Sequence, residues 1–150
     1  RLIHRRTHFF GSVEDAIHQW VSPPELLLAS GVLMYVPSPI ETLTQLCTIG
    51  AERIFVTRTG LSPDSCTRII VHHSRLSENG PGELPHGFSD APVAVPCTFI
   101  PISSFESTVQ RCGYRIVLNI REDSNVWFDG LVGISQFGYV LERDAAASGG

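Results

Sequence analysis

The sequence predicts an α/β fold: an open sheet with helices packed against it. Three observations carry that prediction. Short apolar runs alternate along the chain with segments of helical period. Three helical segments open on a serine that stands three residues before a carboxylate. Two of them stop at a glycine just past the last apolar position.

Taken in order, the helix starts are Ser12-Val13-Glu14-Asp15, Ser38-Pro39-Ile40-Glu41 and Ser103-Ser104-Phe105-Glu106. In each, the serine hydroxyl is expected to accept from an orphan backbone N–H of the first turn, and the carboxylate favours the positive end of the helix dipole. Pro39 follows Ser38, where a helix tolerates proline best. Gly50 and Gly113 supply the stops. Ile40, Leu43, Leu46 and Cys47 share one helix face, as do Phe105, Val109 and Cys112, so both helices are expected to lie on a sheet.

Leu26 to Ala29 and Ile54 to Val56 are nearly continuous apolar runs, the pattern of parallel strands covered on both faces. With the intervening helix they form a β–α–β unit from Leu26 to Thr57. Tyr114 to Ile120 and Phe137 to Leu141 read as two further strands, paired antiparallel at the sheet edge. Between Gly60 and Pro101 lie six of the ten prolines and one strand-like run, Arg68 to His73. The expectation there is a long functional excursion, for example a lid or substrate loop, and the alternative is an ordered but inert surface insertion.

The chain has 150 residues, 43% of them hydrophobic, the size and composition of one domain with its own core. Fifteen acidic and eleven basic residues give a formal net charge of −4, which excludes the basic footprint of a nucleic-acid binder; every basic residue is arginine. No apolar run reaches the ~20 residues a membrane helix needs. Cys47, Cys66, Cys97 and Cys112 are widely spaced and are expected to be reduced in a cytoplasmic protein. The start at Arg1, without methionine, suggests a piece of a longer protein. On that expectation residues 1–143 are the C-terminal portion of a domain, and residues 144–150 a disordered tail.

In open α/β sheets ligands bind beyond the carboxyl ends of the strands. The residues in that position are Phe9-Phe10-Gly11-Ser12 after a first strand, Ser30 to Val36 after the second, and Thr57-Arg58-Thr59-Gly60 after the third. Small residues at Gly11, Ser30 and Gly31 would let a flat ligand approach the backbone.

The stretch from Leu26 to Pro39, LLLASGVLMYVPSP, resembles the fourth-strand segment of class I S-adenosylmethionine-dependent methyltransferases, where a strand runs through a GVL-x-Y-L/V-x-x-P turn into a helix. The ordered set SGVLMYVPSP, RIFVTRT and VPCTFIPISSFESTVQRCGYRIV is similar, more narrowly, to a family of bacterial methyltransferases without an assigned substrate. This resemblance runs from about Phe9 to Leu141. It implies a Rossmann-like open sheet of the class I type with its N-terminal strands missing and an antiparallel edge strand at the C-terminus.

The resemblance further implies S-adenosylmethionine as cofactor. Phe10, Gly11 and Ser12 would line its adenine side, Ser30, Gly31 and Val32 its methionine and sulfonium side, and Tyr35 would stand nearest the reacting methyl. Arg58 and His72 are candidates for the acceptor. Methyl transfer from a sulfonium to a basic nucleophile needs positioning more than acid–base chemistry. The family's glycine-rich first turn and the acidic residue that holds the ribose have no counterpart here and would lie upstream of Arg1. Ser12 stands where many members have Asp, and Thr57 where the narrower family has Asp.

Plainer alternatives stand beside each assignment. Ser30 and Gly31 also suit a tight turn, Tyr35 a packing residue, and Arg58 a pair with Glu52 or Asp64. His72 and His73 are adjacent and would point to opposite strand faces, so no metal site is expected. Cys47 and Cys112 read as core residues. Arg1, His4, Arg5, Arg6 and His8 read as a solvated segment.

The function expected is therefore methyl transfer to an unidentified small-molecule acceptor, with no nucleic-acid or membrane partner, and with residues 1–150 inactive by themselves. The alternative is a catalytically degenerate Rossmann-like binding or assembly module, motivated by Ser12 and Thr57 in place of carboxylates. A different nucleotide-binding α/β enzyme is the third reading.

Overall fold

The computed structural model describes residues 8–19, 22–78, 82–123 and 133–144. Helix α1 spans Val13–Gln19, and strand β1, Leu26–Ser30, leads through a 3₁₀ turn at Leu33–Tyr35 into helix α2, Pro39–Thr48. Strands β2 (Arg53–Ser62), β3 (Arg68–Arg75) and β4 (Pro92–Pro101) follow, with a 3₁₀ turn at Leu76–Glu78 after β3. Helix α3, Ile102–Arg111, and strands β5 (Tyr114–Asp123) and β6 (Ser135–Arg143) complete the order. Expectations for Arg1, His4, Arg5, Arg6, a strand before His8 and a disordered tail beyond Asp144 fall outside the described residues.

The sheet is open and mixed, in the order β3-β4-β2-β6-β5, with β1 also paired to β2. The β–α–β unit forms as expected: β1 runs parallel to β2 in a register from Leu26 opposite Arg53 to Ser30 opposite Thr57. Strand β6 is antiparallel to both β2 and β5, and among the described residues β5 takes the outer position. At the end of this group Glu142 sits between Arg53 and Arg115 and pairs with both across three strands. These ion pairs are solvent-exposed and contribute little.

Helices α2 and α3 pack on each other and on the sheet. Leu43 and Cys47 of α2 and Phe105 and Val109 of α3 meet Ile54, Val56, Leu61, Tyr139 and Leu141 in one core cluster, the two helix faces expected from their periodicity. The Phe105 and Tyr139 rings meet at 4.5 Å between centroids, tilted by 38°. The buried Tyr114 hydroxyl donates to the Ala51 carbonyl at 2.8 Å, so the polar end of a core ring is satisfied. Burial pushes the Cys47 thiol up to about 12, with Cys112 beside it adding to the rise, in keeping with a structural thiol. Gly50 and Gly113 close α2 and α3 at positive φ, 73° and 77°.

Four expectations are corrected. Strand β1 is not covered on both faces: Leu26 and Leu28 are 55% and 66% exposed, because within the described residues only its Leu27 and Ala29 face packs inward. Most of the proline-rich excursion is sheet. Strand β4 holds Pro92, Pro96 and Pro101 yet pairs antiparallel with β3 over eight residues, from Arg75 opposite Pro92 to Arg68 opposite Phe99. Pro92 and Pro96 are separated by an even number, so their missing donors fall on one lateral side and β3 bonds the other.

The remaining corrections concern the helix starts. Ser12 caps α1 as expected, accepting from Asp15 N–H at 3.1 Å. Ser38 occupies the N-cap of α2 but makes no side-chain cap bond; Thr42 N–H bonds its carbonyl instead. In α3 the N-cap is Pro101, and Ser103 lies inside the first turn. Strand β4 runs straight into that helix, which leaves no loop in which a serine cap can stand. Within the described residues no helix is long and apolar enough to cross a membrane.

Candidate functional site

Strand β2 forks the sheet. Strand β6 follows one of its edges from Arg53 to Leu61, so β1 and β4 must share the other. There β1 covers Arg53 to Thr57, and β4 reaches only Leu61 and Ser62. The backbone between them, Arg58 to Gly60, lies at the carboxyl end of the parallel pair, where open α/β sheets place their ligands. A register shift against β6 between Val56 and Thr59 marks a bulge at this point, and Arg58 takes a left-handed conformation, φ 52°. No other described non-glycine residue does. Such a conformation costs about 1–3 kcal/mol and persists only when its surroundings hold it.

The turn after β1 fills the fork. Gly31 adopts φ 63°, and its N–H donates to the Thr57 carbonyl at 2.9 Å, which ties the end of β1 to the start of the bulge. Leu33 and Met34 are buried and anchor the 3₁₀ turn. Met34 packs with Cys97, Phe99 and Ile134 under the β3–β4 hairpin, and Ile70 lies against that group. Gly60 permits this packing, since a Cβ there would stand 2.5 Å from the Phe99 ring. With Leu33 and Met34 turned inward, Val32 and Tyr35 are left outward, 38% and 46% exposed.

Tyr35 ends the 3₁₀ turn that follows β1. Burial raises its phenol above the ordinary value and the Cys97 thiol adds to the rise, while the Arg58 guanidinium opposes it. Gly31 and Arg58 lie side by side: a Cβ on Gly31 would stand 4.0 Å from the Arg58 Cβ. Ser30, Gly31, Val32, Tyr35 and Arg58 are thus drawn into one turn cluster. Asp64, a partner considered for Arg58, pairs with Arg68 instead. Among the described residues no ion pair or hydrogen bond engages the Arg58 guanidinium, and none links Arg58 to Glu52.

Other sequence candidates share no described hydrogen bond or ring contact with the fork. Phe10 stacks on His8, with centroids 6.4 Å apart. Gly11 and Ser12 form the start of α1, and no described hydrogen bond or ring contact joins Phe10, Gly11 or Ser12 to the fork. His72 stands on β3 opposite Val95, half-buried, while His73 is exposed on the other face. No described hydrogen bond links His72 to Arg58 or Tyr35. Among the described residues no three His, Cys, Asp or Glu side chains gather as metal ligands.

Two residues of the site were not anticipated from the sequence. Glu122, on β5, accepts from the Arg58 N–H through Oε2 at 2.5 Å. Strand β6 lies between β5 and β2, so the carboxylate has to pass over it. It passes at Gly138, where a Cβ would come within 2.7 Å of Glu122 Oε1 and 3.0 Å of Ile120 Cγ1. The available signal was the glycine itself, alone in the apolar run Phe137-Gly138-Tyr139, which marks a close approach in a strand.

No protein-family model and no curated protein matches this sequence. Among solved structures the chain is similar to the N-terminal domain of EvdMO1 crystallised in the presence of SAH and D-fucose, with TM-score 0.47 and 14% identity, covering 85% of this chain and 52% of that one. The same domain with SAH bound gives TM-score 0.47 and 14% identity, over 85% and 51% of the two chains. Magnesium protoporphyrin IX methyltransferase (ChlM) from Synechocystis PCC 6803 with bound SAH gives TM-score 0.46 and 11% identity, over 85% and 48%. The chain spans about half the length of these structures.

The fork offers one unengaged guanidinium, a phenol and a backbone turn without side-chain cover at Gly31. Its nearby carboxylate, Glu122, is committed to a backbone amide. Such an arrangement supplies hydrogen-bond donors and little acid–base chemistry.

Proposed function

We propose that this chain contributes to S-adenosylmethionine-dependent methyl transfer to a small-molecule acceptor. One observation carries the reading: Ser30 to Tyr35, the segment on which the sequence resemblance rests, forms the turn that meets the β2 bulge at the carboxyl ends of two parallel strands. In this reading Ser30, Gly31 and Val32 face the methionine and sulfonium side of the cofactor, and Tyr35 stands beside the methyl. The bound cofactor supplies the electrophilic methyl group. The positive φ at Gly31 keeps the turn tight and free of side chain, so a planar or cationic group can approach the backbone. Phe10, Gly11 and Ser12 would hold the adenine side, an assignment that rests on the sequence resemblance alone. Positioning of the acceptor in line with the methyl supplies the rate, which suits a site poor in acid–base groups.

The test is calorimetric titration of S-adenosylhomocysteine into the natural gene product that contains these residues. Saturable binding weakened by Gly31→Val supports the reading, and no binding at millimolar ligand overturns it. If the cofactor binds but no radiolabelled methyl is transferred to any acceptor in a metabolite extract, the degenerate binding module becomes the better description. Ser12 and Thr57, which stand where the resembled families carry carboxylates, favour that second reading.

A further inference from the structure

The proposed methyl-transfer function leaves the acceptor's chemistry open, and the Arg58 bulge constrains it. An arginine is a poor residue for a left-handed position, which glycine or asparagine fills at lower cost. Arg58 nonetheless occupies it at φ 52°, at the fork of the sheet, with its guanidinium unengaged by any described residue. Two features of the fold hold it there. The Gly31 N–H to Thr57 carbonyl bond fixes the residue before it, and Glu122 fixes its own amide from two strands away over Gly138.

A carboxylate that merely tempered the arginine's charge would pair with the guanidinium. Glu122 bonds the backbone N–H instead, which leaves the five guanidinium donors available while the Cα–Cβ direction is set. The Gly31 turn borders the same space, and the 3₁₀ turn that continues it ends on the half-exposed Tyr35. A planar fork of donors beside a phenol matches an oxyanion, a carboxylate or a phosphate, bound bidentately. Resting on the methyl-transfer reading, we infer that the acceptor carries such a group, that Arg58 binds it, and that Glu122 is a positioning residue acting through the bulge.

The test uses the 150-residue chain, ¹⁵N-labelled, with benzoate, phenyl phosphate and the neutral control benzamide, read by the Arg58 Nε–H and Tyr35 resonances. The expected result is millimolar binding of one or both anions, with the tighter of the two naming the oxyanion, and no binding of benzamide. Arg58→Gln is expected to weaken the anion by about tenfold, the worth of one charge-assisted contact. Glu122→Ala is expected to weaken it, whereas Glu122→Gln, which keeps an oxygen for the Arg58 amide, restores it.

Removing a negative charge would by itself tighten an anion, so weakening in Glu122→Ala separates positioning from simple electrostatics. Unchanged urea midpoints and far-ultraviolet spectra identify variants that are still folded, and Arg58→Lys serves as a second surface change should Arg58→Gln unfold. Benzamide binding as tightly as benzoate, anion binding unaffected by Arg58→Gln, tightening in Glu122→Ala, or no anion binding each overturns the inference. S-adenosylhomocysteine binding without anion binding defeats this inference and leaves the methyl-transfer reading standing. Anion binding through Arg58 without cofactor binding by the natural gene product defeats that reading and leaves an oxyanion site.

Discussion

Replacing Gly138 with alanine probes the crossing of Glu122 over β6. Gly138 does not have positive φ, so alanine is conformationally allowed, and on backbone entropy alone it should stabilise the strand by about 0.5–1 kcal/mol. The new methyl, however, would stand 2.7 Å from Glu122 Oε1 and 3.1 Å from its Cδ. The carboxylate is the movable partner and must swing off the Arg58 amide. Hydrogen bonds to charged groups contribute roughly 1.5–3 kcal/mol, and for an exposed carboxylate the lower end applies. The net expectation is destabilisation of about 1 kcal/mol, a fall in midpoint temperature of roughly 2–4 °C for a chain of this size. In a Glu122→Ala background the carboxylate is gone and only the 3.0 Å approach to Ile120 Cγ1 remains, which offsets the entropic gain and leaves the same substitution close to neutral. The coupling energy from a urea double-mutant cycle should thus be about 1–1.5 kcal/mol. An equal cost for Gly138→Ala in both backgrounds would refute the crossing, as would stabilisation in the wild type.

Gly60→Ala pushes a methyl to 2.5 Å from the fully buried Phe99 ring and should lower stability by about 1–3 kcal/mol in urea unfolding, through overpacking. Gly31→Ala meets nothing closer than 4.0 Å, so its cost is conformational alone, about 1–2 kcal/mol by the same assay. Phe105→Ala empties the centre of the helix–sheet core and should cost about 3–5 kcal/mol, or prevent folding at physiological temperature. Burial raises the Tyr114 phenol from 10.0 to about 12, with Cys47 adding to the rise and Arg143 opposing it. The folded state therefore keeps this proton where the unfolded state has lost it. Its contribution is fully present below pH 10 and declines as pH rises toward 12, so urea midpoints measured from pH 9 to 11.5 should fall, and Tyr114→Phe should flatten that slope.

The helices and the parallel pair were legible because their signals are local. Pro39, Gly50 and Gly113 mark chain direction through backbone geometry, and the burial of Leu43, Cys47, Phe105 and Val109 follows from helical period. Strand β4 was illegible because proline counts against a strand when its lateral neighbours are unknown; with β3 on one side, Pro92 and Pro96 cost nothing. Ser103 misled because a capping signature does not reveal that a strand enters the helix directly. Ser30, Gly31, Val32, Tyr35 and Arg58 could be placed after strands by position, and their convergence followed from the β1–β2 register.

By itself, then, the sequence determined an α/β sheet, the βαβ unit from Leu26 to Thr57 and the segments that end at the carboxyl edge of its strands. Those properties depend on side-chain period, capping and turn chemistry within a few residues. Only the tertiary structure decided that β2 forks the sheet, that Arg58 sits on a left-handed bulge, and that Glu122 reaches it over Gly138. Sixty-four positions separate Glu122 from Arg58, and the strand between their two strands is the last in the sequence, so no local pattern could pair them. The contact exists because glycine is the one residue that leaves a gap wide enough for a carboxylate to cross a strand.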